Sequence, residues 1–547
     1  MMKQNYVEFL EGSIRDNWKL PAFSNYKADT LSYGEVAERI YRLHAIFKAM
    51  GLKRGDKVSL LGRNSSAWAT TYLATQTYGA VIVPILPDFH PADIETIVGH
   101  SDSRLFFTTE AYYGKLDPAK LSGLKAVISL EDGSLLSGDK KALAKAEGLF
   151  EAEYRPRLSP EAFGFEAVSN EEPAAIVYTS GTTGFSKGVM LNHNIFISNV
   201  VYSQKNVHLF PGDTILSFLP LAHMFGCAFE FVFPFTRGCH ITFLSKVPST
   251  SVLIEAFSAV KPRLVLTVPL VIEKIYYKQV RPMLSTPRMQ TLLKIPGIRN
   301  IIYRKVRDKL HNFFGGNVIQ VIIGGASFNS EVENFLKRIK FRYTIGYGMT
   351  ECGPLICYVG WKEHRRQSVG HLVDGMEIKI EPVAGSEHGE ICIRGENVMQ
   401  GYYKNPGETA KALDKEGWLH TGDLGSLDQD GFVFIRGRSK TMILNSSGQN
   451  IYPEEIEAKL NNLPIVAESL VLENNGKLWA LVFPDLAEAK KAGIPEESLL
   501  AKMEENRLAL NSELPEYSKI ARIELQREEF QKTPTNKIKR FLYAVKG

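Results

Sequence analysis

Short apolar runs alternate with longer amphipathic stretches from the amino terminus onward. Runs at 57–61, 80–86, 105–109, 126–130, 174–178, 214–218 and 318–323 predict buried strands. Between them, 66–77 has a helical pattern, and His90-Pro-Ala-Asp93 predicts a helix start with Pro91 in the first turn. A short strand signal sits at Thr30-Leu-Ser-Tyr33. Strands alternating with helices imply parallel sheets covered by helices, an α/β class. Residues 131–172 break the pattern. They are rich in Lys, Glu and Ala with scattered Gly and Pro, and read as a solvated excursion before the next strand. No repeat with a period of about 20–50 residues is visible.

At 547 residues the chain exceeds a single core, and the length predicts about three or four domain-sized units. A net charge of +5 is small for this length, so nucleic acid is not expected as a partner. The five cysteines are odd in number and form no Cys-x-x-Cys pair, which fits free thiols in a reducing, cytoplasmic compartment and gives no zinc motif. The amino terminus carries acidic residues and no long apolar core, unlike a signal peptide. The richest apolar run, 225–235, is short for a membrane span and contains Glu230. Residues 278–309 hold nine Lys or Arg and one acid, Asp308, with apolar side chains interleaved. That stretch fits either a solvated helical face or a peripheral contact with an anionic membrane, at its inner face.

The densest chemistry lies at 178–190, Tyr-Thr-Ser-Gly-Thr-Thr-Gly-Phe-Ser-Lys-Gly-Val-Met. An apolar strand opens into Gly181, Gly184 and Gly188, where the backbone can approach a ligand closely. Thr179, Ser180, Thr182 and Thr183 add hydroxyls and Lys187 a positive charge, which is equipment for a polyphosphate. The spacing is not that of a Walker loop, because Lys187 follows Gly184 by three residues. Taken alone, the stretch also fits a Gly/Thr-rich surface turn with a solvated lysine.

Thr-Ser-Gly-Thr-Thr-Gly-x-x-Lys-Gly resembles the phosphate loop of the adenylate-forming superfamily: acyl-CoA synthetases, firefly luciferase and peptide-synthetase adenylation domains. Ser186 departs from the proline usual there. Further segments resemble the family's motifs in the same order. Leu219-Pro-Leu-Ala-His223 matches the segment that places an aromatic or histidine side chain, here His223, at the acyl tunnel. Gly324-Gly325-Ala326 resembles the adenine-side segment. Tyr347-Gly348-Met349-Thr350-Glu351 resembles the most recognisable motif, which implies Tyr347 stacked on adenine, Thr350 on a phosphate and Glu351 on Mg²⁺. Asp423 and Arg438 match the ribose ligands, Lys440 the hinge, and Gly448 the glycine that lets pantetheine pass. Asn450 stands where acetyl-CoA synthetases carry arginine. Lys532-Thr-Pro-Thr-Asn-Lys537 resembles the terminal catalytic-lysine motif, with Asn536 in place of glycine.

The resemblance covers roughly residues 25–545. It implies a large α/β domain, 1–438, of layered, mostly parallel sheets plus a β-barrel-like subdomain, and a small mobile α+β domain, 439–547, carrying Lys537. It also implies ATP, Mg²⁺ and coenzyme A. The expected activity is a fatty acid–CoA ligase: the acid carboxylate attacks the α-phosphate of ATP, and the thiol of coenzyme A then displaces AMP. Val268-Pro-Leu-Val-Ile-Glu-Lys274 resembles a segment of the long-chain synthetases, although Leu270 replaces arginine. Two other readings stay open: a ligase that loads an acyl carrier protein or adenylates another carboxylate, and a nucleotide-sensing protein with a dead site. Oligomeric state is not legible.

Overall fold

The computed structural model of the chain describes residues 2–179, 186–245, 249–383, 388–444, 450–474, 476–533 and 537–543. Two large sheets dominate it. The first has eight strands in the order Gly401–Tyr402, Lys187–Asn192, Pro173–Thr179, Val81–Ile85, Lys57–Leu61, Ser103–Thr108, Ala126–Ser129 and Leu135–Gly138. The five from Pro173–Thr179 to Ala126–Ser129 are parallel, and antiparallel strands close both ends. The second has seven strands, and only its edge strand Thr30–Ser32 runs against its neighbour.

The apolar runs become central strands because parallel sheets are covered on both faces. All five residues of Val81–Ile85 are buried. Helix Ser66–Thr77 is buried almost all round, with Trp68 stacked on Tyr72 at 5.2 Å between ring centroids. Helix Tyr33–Ala49 starts at a capping box in which Ser32 and Glu35 satisfy each other's backbone N–H groups.

The expected solvated excursion at 131–172 is largely exposed, but it carries regular elements and a few buried anchors. Leu135–Gly138 is an edge strand and Lys140–Leu149 a helix. Phe150 and Phe163 are buried beyond it, Phe150 under the Arg42 guanidinium at 3.9 Å and Phe163 against Tyr41 at 5.0 Å. The few apolar anchors follow no period, so the Lys/Glu/Ala background hid them.

The basic stretch is a series of helical pieces, including Arg281–Leu284, Pro287–Leu293 and Pro296–Phe313, the last two opened by prolines. Part of its charge is used inside the protein: Lys278 lies 3.3 Å from Asp485 and Arg281 lies 3.7 Å from Glu331. Helix Pro296–Phe313 turns Val306 and Leu310 inward, while Ile295 and Ile301 stay exposed. Among the described residues, no helix is long and apolar enough to cross a membrane.

Beyond these sheets lies an open four-stranded antiparallel sheet, Met376–Glu381, Gly389–Gly395, Leu419–Leu427 and Val433–Arg438, in the place of the barrel-like subdomain. A three-stranded sheet, Val466–Asn474, Lys477–Pro484 and Ile520–Leu525, packs with helices Pro453–Leu460 and Leu499–Glu513. The buried apolar side chains form two separate clusters, and the smaller lies wholly within 451–523.

Glu230, the acid in the apolar run, is fully buried. Its carboxyl accepts from the backbone N–H groups of Phe218 and Leu219, each at 2.9 Å, and so holds the segment that leads to His223. Burial pushes its pKa well above the carboxylate range, against the pull of those two bonds. Glu230→Ala removes the one oxygen that accepts both bonds and is expected to cost about 2–6 kcal/mol, at roughly 1–3 kcal/mol per stranded donor. Glu230→Gln keeps an acceptor oxygen and should cost less. Urea melts of both variants check this; equal losses would show that the two N–H contacts do not hold the segment.

Candidate active site

One cavity of about 2150 Å³ runs between the ends of these sheets and the small unit. Its wall includes every described residue that the sequence singled out for the site: Thr179, Lys187, His223, Gly325, Ala326, Tyr347, Gly348, Met349, Thr350, Glu351, Asp423, Arg438, Lys440 and Lys537. Ser180, Gly181, Thr182, Thr183, Gly184 and Gly448 lie outside the described residues.

Strand ends build the cavity. Pro173–Thr179 pairs antiparallel with Lys187–Asn192, so Thr179 and Lys187 face each other as register partners and pin the two ends of the Gly/Thr-rich loop. Strand Gln320–Ile323 ends in Gly324, Gly325 and Ala326, with Gly325 at φ +88. Tyr347–Gly348 pairs with Leu355–Tyr358, and a Cβ on Gly348 would meet the carbonyl oxygen of Pro354, so only glycine fits that approach. Thr350 and Glu351 follow in a tight turn, Thr350–Cys352.

Asp423 and Arg438 are register partners on neighbouring strands, and the Arg438 Nε lies 3.0 Å from Asp423 Oδ1. The Tyr347 hydroxyl donates to Asp423 Oδ2 at 2.6 Å. The nearby carboxylate holds Arg438 above the usual guanidinium pKa. Burial, and then Asp423, pushes the Tyr347 phenol well up, so it stays a neutral donor.

Lys537 is tied to Thr533 by two hydrogen bonds, Thr533 N–H to the Lys537 carbonyl at 2.7 Å and Lys537 N–H to the Thr533 hydroxyl at 3.2 Å. It is exposed on the cavity wall beside these charges. Partial desolvation lowers its pKa, Arg438 lowers it further, and Asp423 and Glu351 pull it back up. His223 caps the short helix Met224–Gly226 by accepting from Phe225 N at 3.3 Å. Burial, and after it the charge of Lys537, brings its pKa down to about 4, so the ring is neutral near pH 7. Lys440 is exposed, in a turn where the Thr441 and Met442 N–H groups donate to the Arg438 carbonyl.

The sequence reading missed Tyr402 and Glu408. The Tyr402 hydroxyl donates to Glu351 Oε1 at 2.9 Å, and the Lys187 amine lies 4.9 Å from the centre of the Tyr402 ring. Lys187 is also ion-paired with Glu408, on the first turn of helix Pro406–Ala412. Lys187 and Lys411 together hold the Glu408 carboxyl down to about 2. One short segment thus orients both Lys187 and Glu351. The available signal was Gly401-Tyr-Tyr-Lys-Asn405-Pro406, a strand that runs into a capped helix start.

A family model described as AMP-binding enzyme matches residues 12–403. Long-chain-fatty-acid–CoA ligase 5 of Mus musculus is 30% identical over 501 residues, covering 83% of this chain and 71% of that protein. 4-Coumarate–CoA ligase 5 of Oryza sativa subsp. japonica is 30% identical over 465 residues, covering 81% and 77%. Among solved structures, the o-succinylbenzoate CoA synthetase MenE of Bacillus subtilis, in complex with the acyl-adenylate intermediate OSB-AMP, matches with a TM-score of 0.75 at 20% identity over 99% of this chain and 98% of that one, a likeness of fold. A family match over most of the chain meets a cavity that gathers the matching motifs on one wall, and the chain belongs to the AMP-binding enzyme family.

Proposed function

We propose that this chain joins a medium- to long-chain fatty acid to coenzyme A through an acyl-adenylate. At the coarser level it is an AMP-binding ligase of the acyl- or aryl-CoA kind. The observation that carries the reading is the continuity of the cavity. Its wall holds Lys187, Glu351, Lys537 and Asp423 together with His223 and the apolar side chains Val207, Phe229, Phe233 and Leu264. A polyphosphate suits the charged group and an alkyl chain the apolar one. The 4-coumarate ligases among the relatives make an aryl acid the second reading.

In the first step a carboxylate oxygen bonds to the α-phosphorus while the bond to pyrophosphate breaks. In the second the thiol adds to the acyl carbonyl, loses its proton, and AMP leaves. Little covalent work falls to the protein; positioning and charge stabilisation dominate. Lys187 and the loop that it closes hold the β- and γ-phosphates, Asp423 and Arg438 the ribose, and Tyr347 the adenine. Lys537 steadies the charge that develops at the α-phosphate. Glu351, oriented by Tyr402, fits Mg²⁺, since a magnesium ion bound to phosphates takes only one or two carboxylates. When bound, that ion neutralises phosphate charge. Residues 439–547 act as a mobile unit that turns about Lys440 between the two steps.

A substrate series separates the acids. ATP–pyrophosphate exchange driven by saturated fatty acids of increasing length should exceed exchange driven by 4-coumarate; the reverse order overturns the fatty-acid reading. Free coenzyme A should then outrun an acyl carrier protein as acceptor.

Lys537→Ala should slow adenylate formation by about 10²–10³-fold, the scale of losing one preorganised donor, and spare thioester formation from supplied acyl-adenylate. Equal loss in both steps would remove the assigned role. The ammonium is the active form and its pKa is lowered in the free enzyme, so kcat/KM for adenylation should fall on the alkaline side below the ordinary lysine value of about 10.4. Lys537→Arg stays charged and should move that limb upward.

Lys440→Pro fixes φ near about −65° and removes a backbone donor. Stopped-flow assays should show adenylation retained and thioester formation lost; both rates intact would place the pivot elsewhere.

A further inference from the structure

We propose that Glu381, Glu390, Cys392 and His420 form a binding site for one divalent transition-metal ion of the zinc class. The four residues come from three adjacent strands of the antiparallel sheet, Met376–Glu381, Gly389–Gly395 and Leu419–Leu427. Cys392 is directly opposite His420, and Glu381 directly opposite Glu390. Glu390 and Cys392 are two apart on one strand, so alternation puts all four side chains on one face.

The distances suit a metal. The Cys392 Sγ lies 3.4 Å from His420 Nδ1, Glu390 Oε2 lies 3.1 Å from it and Glu381 Oε2 lies 3.8 Å from it. One ligand atom from each residue falls within 4.8 Å of all the others. Metal bonds of about 2.0–2.3 Å around a tetrahedral centre set ligand atoms roughly 3.3–3.7 Å apart, and the three distances straddle that range. A single Nδ1–H donates well to one acceptor, yet here three acceptor atoms converge on it. Two carboxylates directly opposite each other also repel unless a cation joins them. Lys379 pairs with Glu381 at 2.6 Å on the rim, which leaves the inner corner to be satisfied.

The surroundings orient the ligands as outer partners of metal sites do. Glu390 is fixed because its other oxygen, Oε1, accepts from Gly422 N at 2.9 Å. The far nitrogen of His420, Nε2, points toward the Asp414 carboxylate, 4.0 Å away and beyond hydrogen-bond distance. A thiolate, an imidazole and two carboxylates are the mixed donor set that Zn²⁺ and its neighbours accept. Glu390 and His420 also line the cavity that holds Glu351, but none of the four ligands is a residue assigned to Mg²⁺. It would tie together three strands of the sheet that carries Asp423 and Arg438.

The test is a Co²⁺ titration of the full chain, purified without a metal-affinity tag and stripped with a chelator. One ion per chain with a thiolate-to-cobalt charge-transfer band and tetrahedral d–d bands is expected. Cys392→Ser, with the other four cysteines intact, should abolish the charge-transfer band and weaken binding by about 100-fold or more, beyond the 10–100-fold typical of losing an outer partner. Glu381→Gln sits at the rim and leaves the buried Cys392 untouched, so it tests the site even where Cys392→Ser fails to fold. It should keep the band and weaken binding by about 10-fold. No thiolate band in the wild-type chain, a band that persists in Cys392→Ser, or unchanged affinity in Glu381→Gln overturns the proposal. The cluster is then a histidine held among carboxylates without a metal.

Discussion

Asp423 is the point on which the site turns. Its side chain is 7% exposed, and a carboxylate so placed is stable only with partners. They come from two other segments, the Tyr347 hydroxyl and the Arg438 guanidinium. The antiparallel ladder fixes Asp423 opposite Arg438, so backbone register sets the ion pair. The chain leaves that ladder one residue later, where Ser439 N donates to the Gly422 carbonyl at 2.9 Å. The same strand end therefore holds a buried charge in place and launches the small unit. Tyr452 of that unit packs back onto Gly437, where an added Cβ would come within 2.7 Å of its ring.

Most of this architecture is legible in the sequence. Central parallel strands are continuous apolar runs, and the expected 57–61 strand and 66–77 helix are observed as Lys57–Leu61 and Ser66–Thr77. Several of the described motif residues reach one cavity because they lie at or just past strand ends, as Thr179 and Gly324 to Ala326 do, where open α/β sheets place their ligands. Pairings between distant positions were not legible. Glu408 and Tyr402 meet Lys187 and Glu351 only because Gly401–Tyr402 adds to the edge of the eight-stranded sheet. Cys392 and His420 are brought together by register alone, so no short spacing announced them. Residues 131–172 hid their anchors in a polar background that carries no period. Glu230 read as an interruption of an apolar run, and its use lies in two N–H groups earlier in the chain.

The separate apolar clusters bear on how the small unit can move. A unit with its own core at 451–523 keeps its packing when it rotates, so the cost of motion falls on the contacts across the seam. Several of these are polar. Lys278 and Asp485 form a partly exposed pair, which contributes about 0–1 kcal/mol.

Lys537 is the exception, because it shares the cavity wall with another cation, Arg438. Partial desolvation and Arg438 disfavour its charge, and Asp423 and Glu351 offset that only in part. An anion bound between Lys537 and Arg438 reverses that balance, since it attracts both. On the proposed reaction the triphosphate supplies most negative charge before the first step, and pyrophosphate carries much of it away afterwards. The electrostatic hold on this placement of Lys537 then weakens just when the thiol needs access to the acyl carbonyl. A lysine facing an arginine across the cavity thus makes this placement of Lys537 conditional on substrate charge, and in the proposed cycle the change in charge that completes the first step also favours the proposed rotation before the second.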